Sequence, residues 1–253
     1  MSENYYGDLR EFIEVLDDQG LLYRWQRLVN KDSELVPLMR LQYRGRSDAE
    51  RHAFLYENVT DGQGRRYGIR VLTGVYAASR KIVGLGMGCK DPGEIYERWR
   101  HPVDKPIDPV VVESGPVHEE VHLGAELKQV GLSLLPAPVE EPGFSGDTRV
   151  TGPFITQDAA SGVRNVGMYS GHFRPPDRLL AGIGPSHHAM LYHYPSAKRR
   201  RESLPVAIVL GALPDINYVA AANLPYGLDE LSVAGGIRRR PVEFVRCKTV
   251  PLE

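Results

Sequence analysis

The chain has 253 residues with 31 lysines and arginines, 32 acidic residues and two cysteines, so it is long enough to bury a substantial core and too neutral to present a surface for nucleic acid or an anionic membrane. Cys89 and Cys247 stand far apart, which indicates neither a disulfide framework nor a zinc knuckle and fits a reducing cytoplasm. No apolar run approaches the ~18 residues of a membrane span, and the N-terminus lacks the order of a signal peptide.

Residues 1–100 predict a small N-terminal α/β lobe. Asp8 followed by Glu11 is a capping-box pattern, and apolar residues on one helical face follow it up to Gly20. The remaining predicted elements are, in order, a strand over residues 52–59, a strand over residues 67–75, a poorly capped helix over residues 76–88 and a helix from Asp91 to Trp99.

Residues 101–147 predict a wrapping connector, because seven prolines between Pro102 and Pro142 break any long helix. The spacing of His118 and His122 invites a metal interpretation. Their β-branched neighbours favour a strand instead, on which the two side chains would lie about 13 Å apart. A structural role is therefore favoured over a metal site.

Residues 148–253 predict a sheet-rich domain. Residues 148–158 and 163–173 form a predicted hairpin around small turn residues. Further strands are expected at residues 179–184, 205–213, 217–223 and 241–250, with helices at residues 185–201 and 228–235. This order indicates an α+β fold with a barrel and inserted helices. No GxGxxG follows a strand and no glycine cluster has Walker spacing, which argues against ordinary dinucleotide and ATP sites.

Three polar residues stand among apolar neighbours in this domain: Asn165 on a strand, and His187 and Glu230 at predicted helix starts. Their amide, imidazole and carboxylate groups form a mixed set that suits Mn²⁺ or Mg²⁺. Each also has an ordinary explanation, as a strand-edge amide, a helix-start polar residue and a first-turn carboxylate. The spacing alone does not group them.

Seven blocks of the sequence occur in an order that resembles the UbiD family of decarboxylases: DLREFIEVLDDQGLL, LYENV, VVVESGPVHEEVHLG, ITQDAASGVRNVGMY, RRRESLPVAIVLGALP, LPYGLDELSVAG and PVEFVRCKTVPLE. The resemblance covers nearly the whole chain. It implies a split β-barrel domain that binds prenylated FMN, whose phosphate is bridged to the protein by Mn²⁺ (or Mg²⁺) and K⁺. It also implies reversible decarboxylation of an aromatic or α,β-unsaturated acid.

The resemblance assigns the metal ligands to Asn165, His187 and Glu230, with His188 and Asp229 as neighbours. Gly167 would allow close approach of the flavin, because it has no Cβ. The other positions expected to bind the cofactor are Val166, Met168, Tyr169, Ser170, Ser186, Ala222 and Asn223.

The sequence departs from the family pattern at Ser170, where members carry an arginine that joins two glutamates in binding the substrate carboxylate and transferring a proton. Serine has no charge, so another cation is needed, and Arg174 is a weak candidate. The second departure is that members continue past the block ending at Glu253 into the strand with both glutamates and an oligomerisation domain. Glu253 itself is not expected to be catalytic, and no catalytic residue is assigned.

These departures predict an incomplete split barrel over residues 148–253 that lacks the C-terminal part of the family fold. We expect the small, cofactor- and metal-holding subunit of a split cytoplasmic decarboxylase, which acts on a small carboxylic acid together with a second UbiD-like chain in an oligomer. The main alternative is a non-catalytic cofactor-binding or regulatory homologue. A plain FMN-binding barrel is a third possibility.

Overall fold

The computed structural model describes residues 6–143 and 146–252, so Glu253 lies outside the described residues. The helices are α1 (Leu9–Asp18), α2 (Leu35–Leu41), α3 (Arg80–Gly86), α4 (Ile95–Asp104), α5 (Gly124–Val130), α6 (Tyr194–Arg199), α7 (Pro214–Ala221) and α8 (Glu230–Arg238). The strands are β1 (Leu22–Asn30), β2 (Ala53–Thr60), β3 (Arg66–Tyr67), β4 (Val71–Thr73), β5 (Val110–Val112), β6 (Arg149–Gln157), β7 (Arg164–Arg174), β8 (Arg178–Gly182), β9 (Val206–Ile208) and β10 (Glu243–Val245).

The N-terminal sheet is built around β2. Strand β1 pairs with it in parallel, and β3 and β4 pair with it antiparallel. Helix α1 begins as predicted, with the Asp8 carboxylate accepting the backbone N–H groups of Arg10 and Glu11. It packs Phe12 and Leu16 into the core below the sheet.

Two expectations for this lobe need correction. The predicted strand over residues 67–75 is divided into β3 and β4. The helix expected to be poorly capped, α3, has a proper cap, because the Ser79 hydroxyl accepts the N–H of Ile82.

The connector contains more regular structure than its prolines predict. Helix α4 does not end near Trp99 but continues through Pro102, which packs against Gly236 of α8. The segment with the two histidines is not a strand: residues Pro116–His118 form a 3₁₀ turn, and His122 pairs with Glu120 and Glu126. No group of three histidine, cysteine or acidic side chains in the described residues could hold a metal.

The third sheet carries the candidate site. Its antiparallel order is β8-β7-β6-β9, and the predicted hairpin is confirmed with a register from Arg149 opposite His172 to Gln157 opposite Arg164. Helices α7 and α8 cover one face, where Ile155 and Val166 meet Val219 and Leu231. The fold is α+β with a curled half-barrel sheet, as predicted.

Two predicted strands of this region were wrong. Residues 217–223 belong largely to helix α7. This helix begins with Pro214 and has the acidic Asp215 in its first turn, and both are favourable helix-start residues. Residues 241–250 contribute only β10, which pairs in parallel with β5 of the connector rather than with the third sheet. Within the described residues, no helix is long and apolar enough to cross a membrane.

Candidate cofactor and metal site

The outer edge of β7 changes character along its length. Strand β8 pairs with β7 only from Ser170 to Arg174. Over residues Arg164 to Tyr169, the same edge has no neighbouring strand among the residues that the structure describes. On this edge the N–H of Val166 donates to Oε2 of Glu230 at 2.9 Å, so a side chain takes the place of a strand.

Helix α8 is fixed so that Glu230 reaches this edge. Asp229 caps the helix, accepting the N–H of Leu231 at 2.9 Å. Its other oxygen accepts Nη1 of Arg164 at 2.7 Å, which ties the start of the helix to the start of β7. The predicted neighbour Asp229 therefore holds Glu230 in place.

Glu230 is a buried carboxylate without a salt bridge among the described residues. It is 4% exposed, and no ion pair joins it to any lysine, arginine or histidine of the described residues. Desolvation by burial raises its pKa to about 7 despite the hydrogen bond from Val166. Burial therefore disfavours the ionised form of Glu230 unless a positive charge binds close to it.

Asn165 and His187 meet at Tyr169. Asn165 is buried and its Nδ2 donates to the Tyr169 hydroxyl at 3.4 Å, while the His187 ring lies edge-on to the Tyr169 ring with centroids 5.2 Å apart. Nδ1 of His187 lies 3.1 Å from the carbonyl oxygen of Gly184. Because a carbonyl oxygen can only accept, Nδ1 donates this bond, and in the neutral ring Nε2 is the acceptor.

The structure therefore gathers the three predicted ligands on one part of β7, since Glu230 bonds to the residue after Asn165 and His187 contacts the residue four positions later. A carboxylate lacking a cation, an imidazole with an available Nε2 and an amide form a donor set that fits Mn²⁺ or Mg²⁺. The ligand roles themselves remain predictions.

The other expected cofactor positions are distributed over both sides of the sheet. The regular register puts Gly167 and Tyr169 on the face with Asn165, and Val166, Met168 and Ser170 on the opposite face. A ligand could meet all of them only at the backbone edge. A Cβ on Gly167 would overlap the Tyr169 ring, so packing of that ring already requires glycine there.

The remaining predicted positions lie in loops beside these elements. Ser186 is exposed next to His187. Ala222 is half-buried directly after α7, and Asn223 follows it on the surface. His188 turns away from Tyr169, because its ring packs near those of Tyr192 and Tyr226.

His193 is a residue that sequence reasoning missed. It is fully buried at the end of a π-helical turn, Ala189–His193, and its Nδ1 lies 2.9 Å from the hydroxyl of Thr156. Thr156 is the cross-strand partner of Asn165. Burial lowers the pKa of His193, which favours the neutral ring, and its Nε2 has no partner among the described residues. From the sequence, only the hairpin register could have indicated that Thr156, the partner of His193, lies opposite Asn165.

Arg149 was missed as well. Its Nη2 donates to the Ser170 hydroxyl at 2.6 Å, and its Nη1 bonds to Glu140. Arg174, the substitute considered from the sequence, turns to Asp147 at 3.1 Å instead. The register could have found Arg149, because it lies two residues before Thr151, which is opposite Ser170.

A cavity of about 720 Å³ lies elsewhere, between the turn after β2 and the connector. Lys31, Asp61, Tyr67 and Thr148 are among its lining residues, and none of the predicted metal ligands is. Its size alone does not make it the site, since the polar groups that need a partner lie at the edge of β7.

Comparison with known sequences finds relatives that match nearly the whole chain. A family model described as the 3-octaprenyl-4-hydroxybenzoate carboxy-lyase Rift-related domain matches residues 110–253. An uncharacterized protein from Aquifex aeolicus is 33% identical over 98% of this chain, and a phenolic acid decarboxylase from Streptomyces is 26% identical over 98% of it. The chain covers 52% and 51% of these relatives, so it spans about half the length of the curated relatives it matches.

Solved structures also match nearly the whole of this chain over about half of their own length. An evolved dimeric form of the UbiD-class enzyme HmfF from Pelotomaculum thermopropionicum, in complex with prFMN, matches 98% of this chain and 54% of its own with a TM-score of 0.80 and 27% identity. A complex of HmfF with FMN matches 96% of this chain and 51% of its own, with a TM-score of 0.82 and 28% identity.

Proposed function

The chain belongs to the UbiD family, and from this premise we propose that it holds prenylated FMN and a divalent cation for the decarboxylation or carboxylation of an aromatic or α,β-unsaturated acid. One observation carries the proposal: Glu230 is buried at the open edge of β7 with a backbone N–H as partner and no salt bridge to a lysine, arginine or histidine of the described residues. Buried carboxylates are otherwise neutralised by a paired side chain or a metal.

The proposed cation site uses the carboxylate of Glu230, Nε2 of His187 and the amide oxygen of Asn165. These groups would hold Mn²⁺ (or Mg²⁺), and together with K⁺ the ion would supply positive charge for the cofactor phosphate. A divalent ion here offsets the negative charge of both the phosphate and Glu230. Asp229 caps the helix that carries Glu230 and pairs with Arg164, and Thr156, the cross-strand partner of Asn165, bonds to His193.

When bound, prenylated FMN supplies an electron sink for the charge left on the substrate as CO₂ departs. This chain orients the cofactor through the cation and through the backbone edge of residues 166–169. The Tyr169 ring covers Gly167 and excludes water from one face of the strand beside Asn165. A second UbiD-like chain would contribute the acidic residues that return a proton.

A partner chain is also favoured by the edges of the third sheet. Its edge strands carry exposed apolar side chains: Leu180 on β8 is 58% exposed, Ile208 on β9 is 38% exposed, and Leu210 just beyond it is 44% exposed. Open strand edges with apolar residues invite pairing with another chain. We therefore propose an oligomer in which a second UbiD-like chain covers these edges.

Adjacent histidines provide a direct test. The chain is produced together with a flavin prenyltransferase and purified in Mn²⁺ and K⁺, and flavin occupancy is read from the absorbance spectrum. We expect Glu230→Ala and His187→Ala to lose most of the flavin, and His188→Ala to keep it, because His188 packs against Tyr192 and Tyr226. Equal occupancy in all three variants would remove the metal-phosphate bridge from consideration.

The non-catalytic alternative is decided by adding a partner. We expect the flavin-loaded chain alone to release no CO₂ from aromatic or acrylic acids, and to do so with a second UbiD-like chain. General acid–base help is typically worth about 10²–10⁴ in rate, so its restoration is measurable. Flavin binding without activity in any combination would favour a regulatory or carrier role.

A further inference from the structure

Arg149 brings a guanidinium to the hydroxyl of Ser170, at the point where the outer edge of β7 becomes free of β8. We propose that Arg149 binds the carboxylate group of the acid substrate, a proposal that rests on the function proposed above. It supplies a positive charge where Ser170 has none, from the neighbouring strand of the hairpin.

The pairing of β6 with β7 places the Arg149 side chain next to Ser170. Arg149 and Thr151 lie on the same face of β6, and Thr151 is directly opposite Ser170. The two hydroxyls lie 3.2 Å apart, and Nη2 of Arg149 reaches Ser170 Oγ at 2.6 Å. A long cationic side chain at position 170 would meet the Arg149 guanidinium, so serine here and arginine at position 149 are compatible with each other.

The guanidinium keeps hydrogen-bond donors for a ligand. Arginine has five N–H donors, and the described contacts use one on Glu140 and one on Ser170. Nε is buried without a partner among the described residues, whereas the side chain as a whole is 37% exposed. The remaining Nη donors form the planar fork that fits a carboxylate.

The other arginines of the hairpin are engaged elsewhere. Arg164 pairs with Asp229 at 2.7 Å and lies over the ring of Phe244. Arg174 pairs with Asp147 at 3.1 Å and donates to the carbonyl of Phe173. Of the three arginines on β6 and β7, Arg149 is therefore the one that contacts Ser170.

Glu140 distinguishes this role from that of a structural ion pair. Its carboxylate bonds to Arg149 and also lies 3.6 Å from Nη2 of Arg40, so it competes with any anion that approaches Arg149. For an anion site, removal of the Glu140 charge strengthens anion binding, and removal of the Arg149 charge weakens it. For a structural pair, the two changes act in the same direction.

The test measures benzoate binding to the flavin-loaded, Mn²⁺-loaded chain by isothermal titration calorimetry, with benzamide as the uncharged control. We expect benzoate but not benzamide to bind, Arg149→Gln to weaken benzoate binding by roughly ten- to a hundredfold, and Glu140→Gln to strengthen it severalfold. Arg174→Gln is the matched control and should bind benzoate as the wild type does. Flavin absorbance should be the same in all of these proteins.

Three results would overturn the assignment: no benzoate binding by the wild type, unchanged benzoate binding in Arg149→Gln, or parallel weakening in Arg149→Gln and Glu140→Gln. The failure of the underlying function looks different. If the wild-type chain retains no flavin in Mn²⁺ and K⁺, the proposed function fails; if flavin is retained and benzoate binding ignores Arg149, only the carboxylate assignment fails.

Discussion

A buried carboxylate lies at each end of helix α8, and the two carboxylates differ in whether a salt bridge neutralises them. At the C-terminal end, Arg238 donates Nε and Nη2 to Asp215 at 2.6 and 2.7 Å, and Asp215 is 5% exposed. At the N-terminal end, Glu230 is 4% exposed and accepts backbone N–H groups, but among the described residues no cation forms a salt bridge with it, because the nearby Arg164 is paired with Asp229. Burial is the same at both ends, and only the counter-charge differs.

This difference separates a structural group from a functional one. The Asp215–Arg238 pair is bidentate and closed, so it needs nothing from outside the chain. Glu230 is held in place as well, through Asp229 and Val166, yet within the described residues it has no salt-bridge partner and only the charge of Arg164 nearby, which is paired with Asp229. Asp215 is thus neutralised by a side chain of the same protein, whereas Glu230 is placed to be neutralised by a bound cation.

The largest effect is expected at the closed end. Arg238→Gln leaves the Asp215 charge buried without its partner, which should lower the free energy of unfolding by roughly 3–5 kcal/mol. Urea unfolding measures it. The double variant Asp215→Asn/Arg238→Gln should recover most of the loss, because no unpaired charge remains; a loss below about 1 kcal/mol in Arg238→Gln would erase the contrast between the two ends.

A pH series on the metal-free chain tests the open end. The pKa of Glu230 rises from 4.5 to about 7 on folding, mainly through desolvation. The folded state therefore holds this proton more tightly, so the stability linked to it is complete below pH 4.5 and is lost as the pH rises to about 7. We expect the free energy of unfolding to fall by up to about 3 kcal/mol across this window.

Glu230→Gln isolates this contribution, since all other groups titrate in both proteins. The difference in unfolding free energy between wild type and variant should change with pH in that window and should shrink when Mn²⁺ is added, because the cation stabilises the ionised carboxylate. Identical pH profiles for the two metal-free proteins would mean that Glu230 already has its counter-charge.

Local sequence patterns predicted the elements that local chemistry determines. The β6–β7 hairpin was found from its turn residues, and the helix predicted over residues 228–235 corresponds to α8. Strand β1 was missed because it buries little more than Leu22 and Val29, so its polar middle hides the pattern. Helix α7 was taken for a strand because its Val, Tyr and Ala run outweighed the Pro214 start signal.

The site shows a different limit. Asn165, His187 and Glu230 come from separate elements, so their convergence depends on how α8 and the π-helical turn pack on β7, which spacing does not contain. The family resemblance, now confirmed, supplied the grouping. Arg149 and His193 were missed because the bond of Arg149 to Ser170, and the bond of His193 to Thr156 opposite Asn165, can be anticipated only once the register is known.

The smallest effect on stability, and the finest test of the open end, is at Asp229. Asp229→Ala removes the cap of α8 and the pair with Arg164, and the loss of a cap costs typically about 1 kcal/mol. Asp8→Ala is the matched control, because Asp8 caps α1 through two backbone N–H groups far from Glu230. Both variants should lose similar stability in urea, but only Asp229→Ala should weaken Mn²⁺ binding, by roughly ten- to a hundredfold, since groups that orient a ligand have effects of that size.

Asp229→Asn keeps an oxygen for the N–H of Leu231 and should fall between the wild type and Asp229→Ala. If Mn²⁺ binding is the same in Asp229→Ala and Asp8→Ala, Glu230 does not depend on its helix start for its position, and the open end would be a buried carboxylate without a metal-binding role.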